Sequence, residues 1–283
     1  MPLNSVNTNS GAMIALQSLN HTNRDLSVAQ KRISTGFRVA DSTDDGAAYA
    51  IAQSVRSTVG ALTSANQQLG NVQGLLSTTQ SGLNNISNTM ASMRDVLVKL
   101  SDGGVQGNDR ANYQSQFQSL LSNVQTFIQD AGYNGKSLIG DLTGSTGTFG
   151  RVAVARNESG SSYGIATFGG SALYGSIAFT TTQMDSAETI AALITASGTF
   201  INQMNNVGRA LNTLGSSINY VANQVSYNND KVDALQSGLG SLVDADLAKE
   251  SAQLQALQIR QQLGTQALSL ANQAPQTLLS LFK

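Results

Sequence analysis

The sequence predicts a mainly α protein: a long antiparallel coiled-coil or helical-bundle rod, a small β-rich hairpin insert, and two terminal helices that pair. Three observations lead there. Seven-residue apolar repeats run through residues 48–100 and 187–242, a Gly-, Ser- and Thr-rich stretch separates them, and the two ends carry comparable stripes of small apolar residues.

A chain of 283 residues is long enough to bury a sizeable core. That core is unconventional, because aromatic residues make up 5% of the chain and Trp is absent. Charged residues are 12%, about half the usual share, and Asn, Gln, Ser and Thr fill the polar positions. Amides and hydroxyls are cheaper to bury than charges when they find hydrogen-bond partners, so this surface suits a protein packed against copies of itself, with compositional drift as the alternative reading. A net charge of −1 with no basic patch argues against a nucleic-acid partner. The absence of cysteine removes disulfides, thiol catalysis and zinc-thiolate sites. The start of the chain has no basic n-region or apolar h-region, and no stretch reaches 18 uninterrupted apolar residues, so membrane insertion is not expected.

The first segment, residues 1–46, places Ala12, Ala15, Leu19, Thr22, Leu26, Ala29 and Ile33 at heptad spacing. It runs into "RISTGFRVADSTDDGAAYAIA" at 32–52, a polar, glycine-marked joint between two helical segments. Gly36 can end the first helix in a left-handed cap, and Ser42, Thr43 or Asp44 can cap the second, with acidic residues near the positive end of its dipole.

Residues 47–133 carry the first helices of the rod. From Ala48, alternating steps of three and four reach Ile51, Val55, Thr58, Leu62, Ala65, Leu69, Val72, Leu76, Thr79, Leu83, Ile86, Met90, Met93, Leu97 and Leu100, with two threonines as the polar members. A heptad repeat held this long makes one helix bury a single seam, and at 1.5 Å per residue it spans roughly 80 Å. A shorter series follows at Tyr113, Phe117, Leu120, Val124, Phe127 and Ala131.

Residues 134–182 form the insert, where "RVAVA", "YGIATF" and "GSIAF" read as short strands between glycine turns. The returning helix, residues 183–240, continues the seam from Ala187 through Ile190, Ile194, Ser197, Ile201, Met204, Val207, Leu211, Leu214, Ile218, Val221, Val225, Asn228, Val232, Leu235, Leu239 and Leu242. A seam Asn such as Asn228 sets register at some cost in stability.

The last segment, residues 241–283, opens with Asp244 and Asp246 as capping acids and places Leu247, Leu254, Leu257, Leu268, Ala271, Leu278 and Phe282 on stripes like those of the N-terminal helix. Its "LLSLF" end is a concentrated apolar tip of the kind that marks an interaction site. Small seam residues bury little area, so both end helices are expected to be poorly ordered until the chain assembles.

Catalytic inventory is nearly empty. His21 is the single histidine and falls in a polar stretch of the N-terminal helix, so a two-histidine metal pair cannot form and a surface or packing role is expected of it. Asp44 and Asp45 are adjacent and point apart, and "SGLGS" at 237–241 lacks the strand before it and the Lys after it that a phosphate loop needs. No enzyme activity, cofactor or metal is expected.

The start "LNSVNTN", the joint, and above all the end "VDADLAKESAQLQALQIRQQLGTQALSLANQAPQTLLSLFK" resemble bacterial flagellin. The resemblance covers residues 1 to about 135 and about 185 to 283, with "ANQAPQTLLSLFK" its most specific part. It implies a structural subunit of the extracellular filament, exported unfolded through the flagellar type III channel and polymerised at the tip. Export chaperone, filament cap and hook–filament junction proteins are the further partners it implies. A junction protein of the same export family is the alternative reading.

By the same resemblance the polymerisation core comprises Leu3, Val6, Leu19, Leu26, Ile33, Leu247, Leu254, Leu257, Leu268, Leu278, Leu281 and Phe282, and the connector Arg32, Gly36, Arg38, Asp44, Asp45 and Gly46. The family's stretch for Toll-like receptor 5, L-Q-R-V-R-E-L, corresponds to Met90, Ala91, Ser92, Met93, Arg94, Asp95 and Val96. Ala91 and Ser92 stand where the family has Gln and Arg, and losing that Arg removes an anchor, so weak or absent receptor binding is expected.

Overall fold

The structure, a computed structural model, describes residues 8–281, with side chains described for residues 8–273. The chain forms two compact units: residues 1–57 with 233–283, and residues 58–232.

The first unit contains helix α1 (Ser10–Thr35), the start of α2 (Gly46–Leu100), the end of α7 (Thr199–Val243) and α8 (Leu247–Leu281). Asn9 caps α1 through its side-chain oxygen, 3.1 Å from the Ala12 amide, and Gly36 ends it at φ 74°, returning its N–H to the Arg32 carbonyl. Helices α1 and α8 pair along their length. Asn9 Nδ2 donates to the Ala271 carbonyl (2.7 Å), Gln261 Nε2 to Asn23 Oδ1 (2.8 Å) and Arg32 Nη1 to Glu250 Oε1 (3.0 Å). Numbers rise on one helix as they fall on the other, so the pair is antiparallel.

In the second unit, α2, α3 (Gly107–Asp130) and α7 share one apolar core, including Leu69, Leu76, Leu83, Met90, Leu97, Phe117, Val124, Phe200, Val207 and Val221. Helix α2 is 55 residues long, which accounts for the first heptad series as a single helix. Its buried Thr79 is tolerated because the hydroxyl donates to the Leu75 carbonyl one turn back, at 2.8 Å. Asn228, also fully buried, donates to Asn66 Oδ1 (2.8 Å) and the Arg156 carbonyl (3.0 Å) and accepts from Gln224 (2.9 Å). The α2–α3 turn is closed by Arg110, whose guanidinium donates to the carbonyls of Leu100, Val105 and Met184.

The insert begins with a hairpin of β1 (Gly132–Tyr133) and β2 (Lys136–Ser137), its turn supplied by Asn134 and Gly135 at φ 48° and 73°. Strand β3 (Thr148–Phe149) pairs parallel with β2, and β4 (Val152–Ala155) pairs antiparallel with β5 (Ser162–Ile165). Three short helices follow: α4 (Gly170–Ile177), α5 (Thr181–Asp185) and α6 (Ala187–Leu193).

Two expectations change here. "GSIAF" is not a strand: its first residues close α4, which buries Gly170, Leu173 and Ile177 at helical spacing. The second heptad series is not one helix either. It breaks between α6 and α7, where Ser197 is exposed and a side chain on Gly198 would start 2.2 Å from the Leu193 carbonyl oxygen. A heptad count registers apolar spacing and does not register a backbone crossing that only glycine admits.

Candidate assembly surface and joint

Within the first unit, the facing stripes of α1 and α8 bury little. Ala29 and Leu257 are the buried apolar members, and Leu19, Leu26, Ile33, Leu254 and Leu268 are half-buried. The helices come close at Gly264, where an added Cβ would lie 3.2 Å from Leu19 Cδ1. Leu247, expected on this seam, is 49% exposed at the start of α8. Leu3, Val6 and Phe282 lie outside the described residues, as do the side chains of Leu278 and Leu281.

Away from the seam both helices present apolar side chains to solvent. Met13, Ile14, Leu16 and Val28 on α1, and Ile259, Leu263 and Leu270 on α8, are all exposed. The heptad reading passed over them because it followed only the seam. Met13 and Leu16 also line a shallow cleft with Gln17, Asn20 and Arg24, one helical face of α1.

The joint is built from pairings that tie the end of α1 to the loop after it, and that loop to the end of α7. Lys31 Nζ reaches Asp41 (2.7 Å) and Asp44 (2.9 Å), tying the end of α1 to the loop. These hydrogen bonds raise the lysine pKa and hold both carboxyls below their ordinary value; Asp41 gains further from Thr43, and Asp44 from the Ala40 amide. With Asp44 so engaged, the cap of α2 falls to Asp45, whose Oδ1 accepts from Ala47 and Ala48, both at 3.0 Å. The cap expected at Ser42, Thr43 or Asp44 is therefore shifted, and Gly46 becomes the first residue of the helix.

Arg38 donates its amide to the Val243 carbonyl (2.7 Å) and its guanidinium to the Leu242 carbonyl, while Ala245 returns a bond to the Gly36 carbonyl (3.0 Å). Phe37 and Asp244 thereby form an antiparallel bridge. α8 begins at Leu247, so of the two expected capping acids only Asp246 stands at the cap, accepting from Ala248 (3.0 Å) and Lys249 (3.1 Å). Beneath lies a small core of Val39, Ala48, Ala52 and Val243, and the Arg56 guanidinium sits 5.8 Å from the Phe37 ring centroid. Sequence reading missed Lys31, Asp41, Val39, Val243 and Glu250. Lys31 and the aspartates were signalled by a charge cluster in a charge-poor chain; Glu250, 7% exposed and paired with Arg32, carried no local signal.

In the second unit, Met90, Met93 and Val96 are buried core residues of α2, while Ala91, Ser92, Arg94 and Asp95 are exposed. No group of three metal-ligating side chains exists among the described residues, and no described helix is long and apolar enough to cross a membrane.

A family profile for the bacterial flagellin N-terminal helical region matches residues 6–143, and one for the bacterial flagellin C-terminal helical region matches residues 194–282. Flagellin FljM of Caulobacter vibrioides is 35% identical over the whole of both chains. The chain belongs to the bacterial flagellin family. A flagellin of Brucella melitensis is 34% identical over 99% of each chain. A solved structure described as a flagellar hook-associated protein of Vibrio parahaemolyticus matches 71% of this flagellin chain and all of its own at a TM-score of 0.57; at 17% identity it speaks to fold alone. Flagellins are structural proteins of the flagellar filament, and full-length identity to them does not favour the junction-protein alternative.

Proposed function

We propose that this chain polymerises by burying the outer faces of α1 and α8 between neighbouring copies, with the joint carrying the connection from these core helices to the rest of the subunit. One observation carries the reading: two paired helices whose mutual seam is thin leave Met13, Ile14, Leu16, Ile259, Leu263 and Leu270 in water. Met13 with Leu16, and Ile259 with Leu263, recur at helical spacing on their helices, and exposed apolar faces of this kind mark interaction surfaces. The polymerisation core is assigned to the seam and end residues named above, and the connector to Arg32, Gly36, Arg38, Asp44, Asp45 and Gly46. On this reading the five segments divided at residues 46, 133, 182 and 240 are inner core, outer rod, insert, outer rod and inner core.

The same reading places the protein outside the cell, in the filament, after export through the flagellar type III channel, with export chaperone, cap and junction proteins as transient partners. It assigns no catalytic role. Toll-like receptor 5 is engaged weakly or not at all, because Ser92 offers a short hydroxyl on the exposed face where the family has Arg. Purified monomer mixed with short filament seeds is expected to give long tubular filaments by electron microscopy, and a chain lacking residues 1–33 and 247–283 none. Undiminished elongation by the truncated chain would overturn the assignment. A full receptor response in reporter cells would overturn the receptor reading separately.

A further inference from the structure

The chain has six methionines, of which Met1 lies outside the described residues. Met90, Met93 and Met184 are each 0% exposed, and Met204 is half-buried against the core of the second unit. Met13 is 68% exposed. It also borders two clefts on α1, one with Leu16, Gln17, Asn20 and Arg24, the other with Ala12, Leu16 and Leu268 of α8. Met13 is therefore open to solvent in the first turn of α1, on the face that assembly would cover.

We propose that Met13 is a peroxide-sensitive modification site whose oxidation state sets how readily a monomer adds to a polymer. The inference rests on the reading that the outer face of α1 is buried between copies. In the step itself, the Met13 sulfur attacks one oxygen of hydrogen peroxide, an S–O bond forms and the O–O bond breaks. The sulfur-bound hydroxyl gives its proton to the departing hydroxide, so sulfur is oxidised by two electrons and the products are methionine sulfoxide and one water.

The product is larger, polar and chiral, and it stands beside Ile14 and Leu16, with Gln17, Asn20 and Arg24 completing the cleft. A polar oxygen taken into such a contact costs desolvation that the thioether does not. Burial protects Met90, Met93 and Met184 in the monomer, and the neighbouring copy protects Met13 once assembled. Oxidation at this position is accordingly an event of the free monomer.

The test treats full-length monomer and preformed filament with hydrogen peroxide and maps sulfoxide by mass spectrometry of peptides. Conversion is expected at Met13 in the monomer, little at Met90, Met93 and Met184, and little at Met13 in the filament. Treated monomer is expected to elongate seeds about tenfold more slowly than untreated, the factor that follows from burying one poorly paired polar group. Met13→Leu keeps shape and volume, so after the same treatment it is expected to elongate at its untreated rate.

Equal conversion of the buried methionines, or equal slowing of treated Met13→Leu and treated wild type, would overturn the proposal. Leu16→Asp without peroxide separates it from the reading beneath it. Full-rate elongation by that variant means the α1 face is not covered, and both fall. Slowed elongation with a peroxide-insensitive wild type removes the oxidation proposal alone.

Discussion

Gly36 and Asp45 secure the joint by different means. Gly36 holds φ 74° with open space around its missing side chain, so Gly36→Ala is expected to cost about 1 kcal/mol from backbone conformation alone, measured by denaturant unfolding. Asp45→Ala removes the acceptor for two amides of α2 and is expected to cost a similar amount, about 1 kcal/mol. Lys31, Asp41 and Asp44 add a pH signature. The two carboxyls titrate below their ordinary value of 3.8 in the folded chain, so their stabilisation is present above that pH and is lost as pH falls through the depressed values. Lys31 titrates above 10.5, so its contribution is present below that pH and lost as pH rises through the raised value. Unfolding of Lys31→Met is expected to lose part of the wild-type drop in stability below about pH 4, the range set by the carboxylate reference. Gly36 as a cap was legible in the sequence because glycine after a periodic run has one common use. The choice of Asp45 over Asp44 was not, because a carboxylate ten or more residues from its lysine partner leaves no trace in local spacing.

At the scale of the element, the α1–α8 pair is held by thin apolar contacts and a few long-range polar ones. Arg32 is the member most exposed to test, because Glu250 is nearly buried and Arg32 is its cation. Arg32→Leu strands that carboxylate and is expected to lower stability by about 2 kcal/mol, discounted from a fully buried pair because the guanidinium is partly solvated. The companion Gly264→Leu drives a branched side chain into Leu19 and is expected to separate the helices, read as lost helicity by circular dichroism. Heptad spacing found both stripes of this pair and the whole of α2. It ran α6 and α7 together, since the break depends on Gly198 meeting Leu193 in space, and it took the end of α4 for a strand because five apolar or small residues do not distinguish the two periods.

For the whole molecule, the contrast between the units sets an order of opening. The second unit has a continuous core of large buried side chains, whereas the first has a small core at the joint and a thin seam beyond it. Hydrogen exchange on the monomer is expected to be slowest for α2 amides at residues 83–100 and fastest in α1 and α8, with the α1 and α8 amides slowing on polymerisation. Equal protection of all these helices in the monomer would mean that the paired ends are stable before assembly. The sequence by itself determined the long helices α1, α2 and α8 and the membership of the family, because apolar spacing and terminal motifs are properties of neighbours along the chain. Only the tertiary structure decided that Asn228 joins α2, α7 and the insert, that Arg110 closes a turn on three carbonyls, and that Met13, Ile14 and Leu16 stay uncovered in a single chain. Those outcomes depend on which partners arrive from distant positions, and a buried polar group or an exposed apolar one is defined by what packs against it.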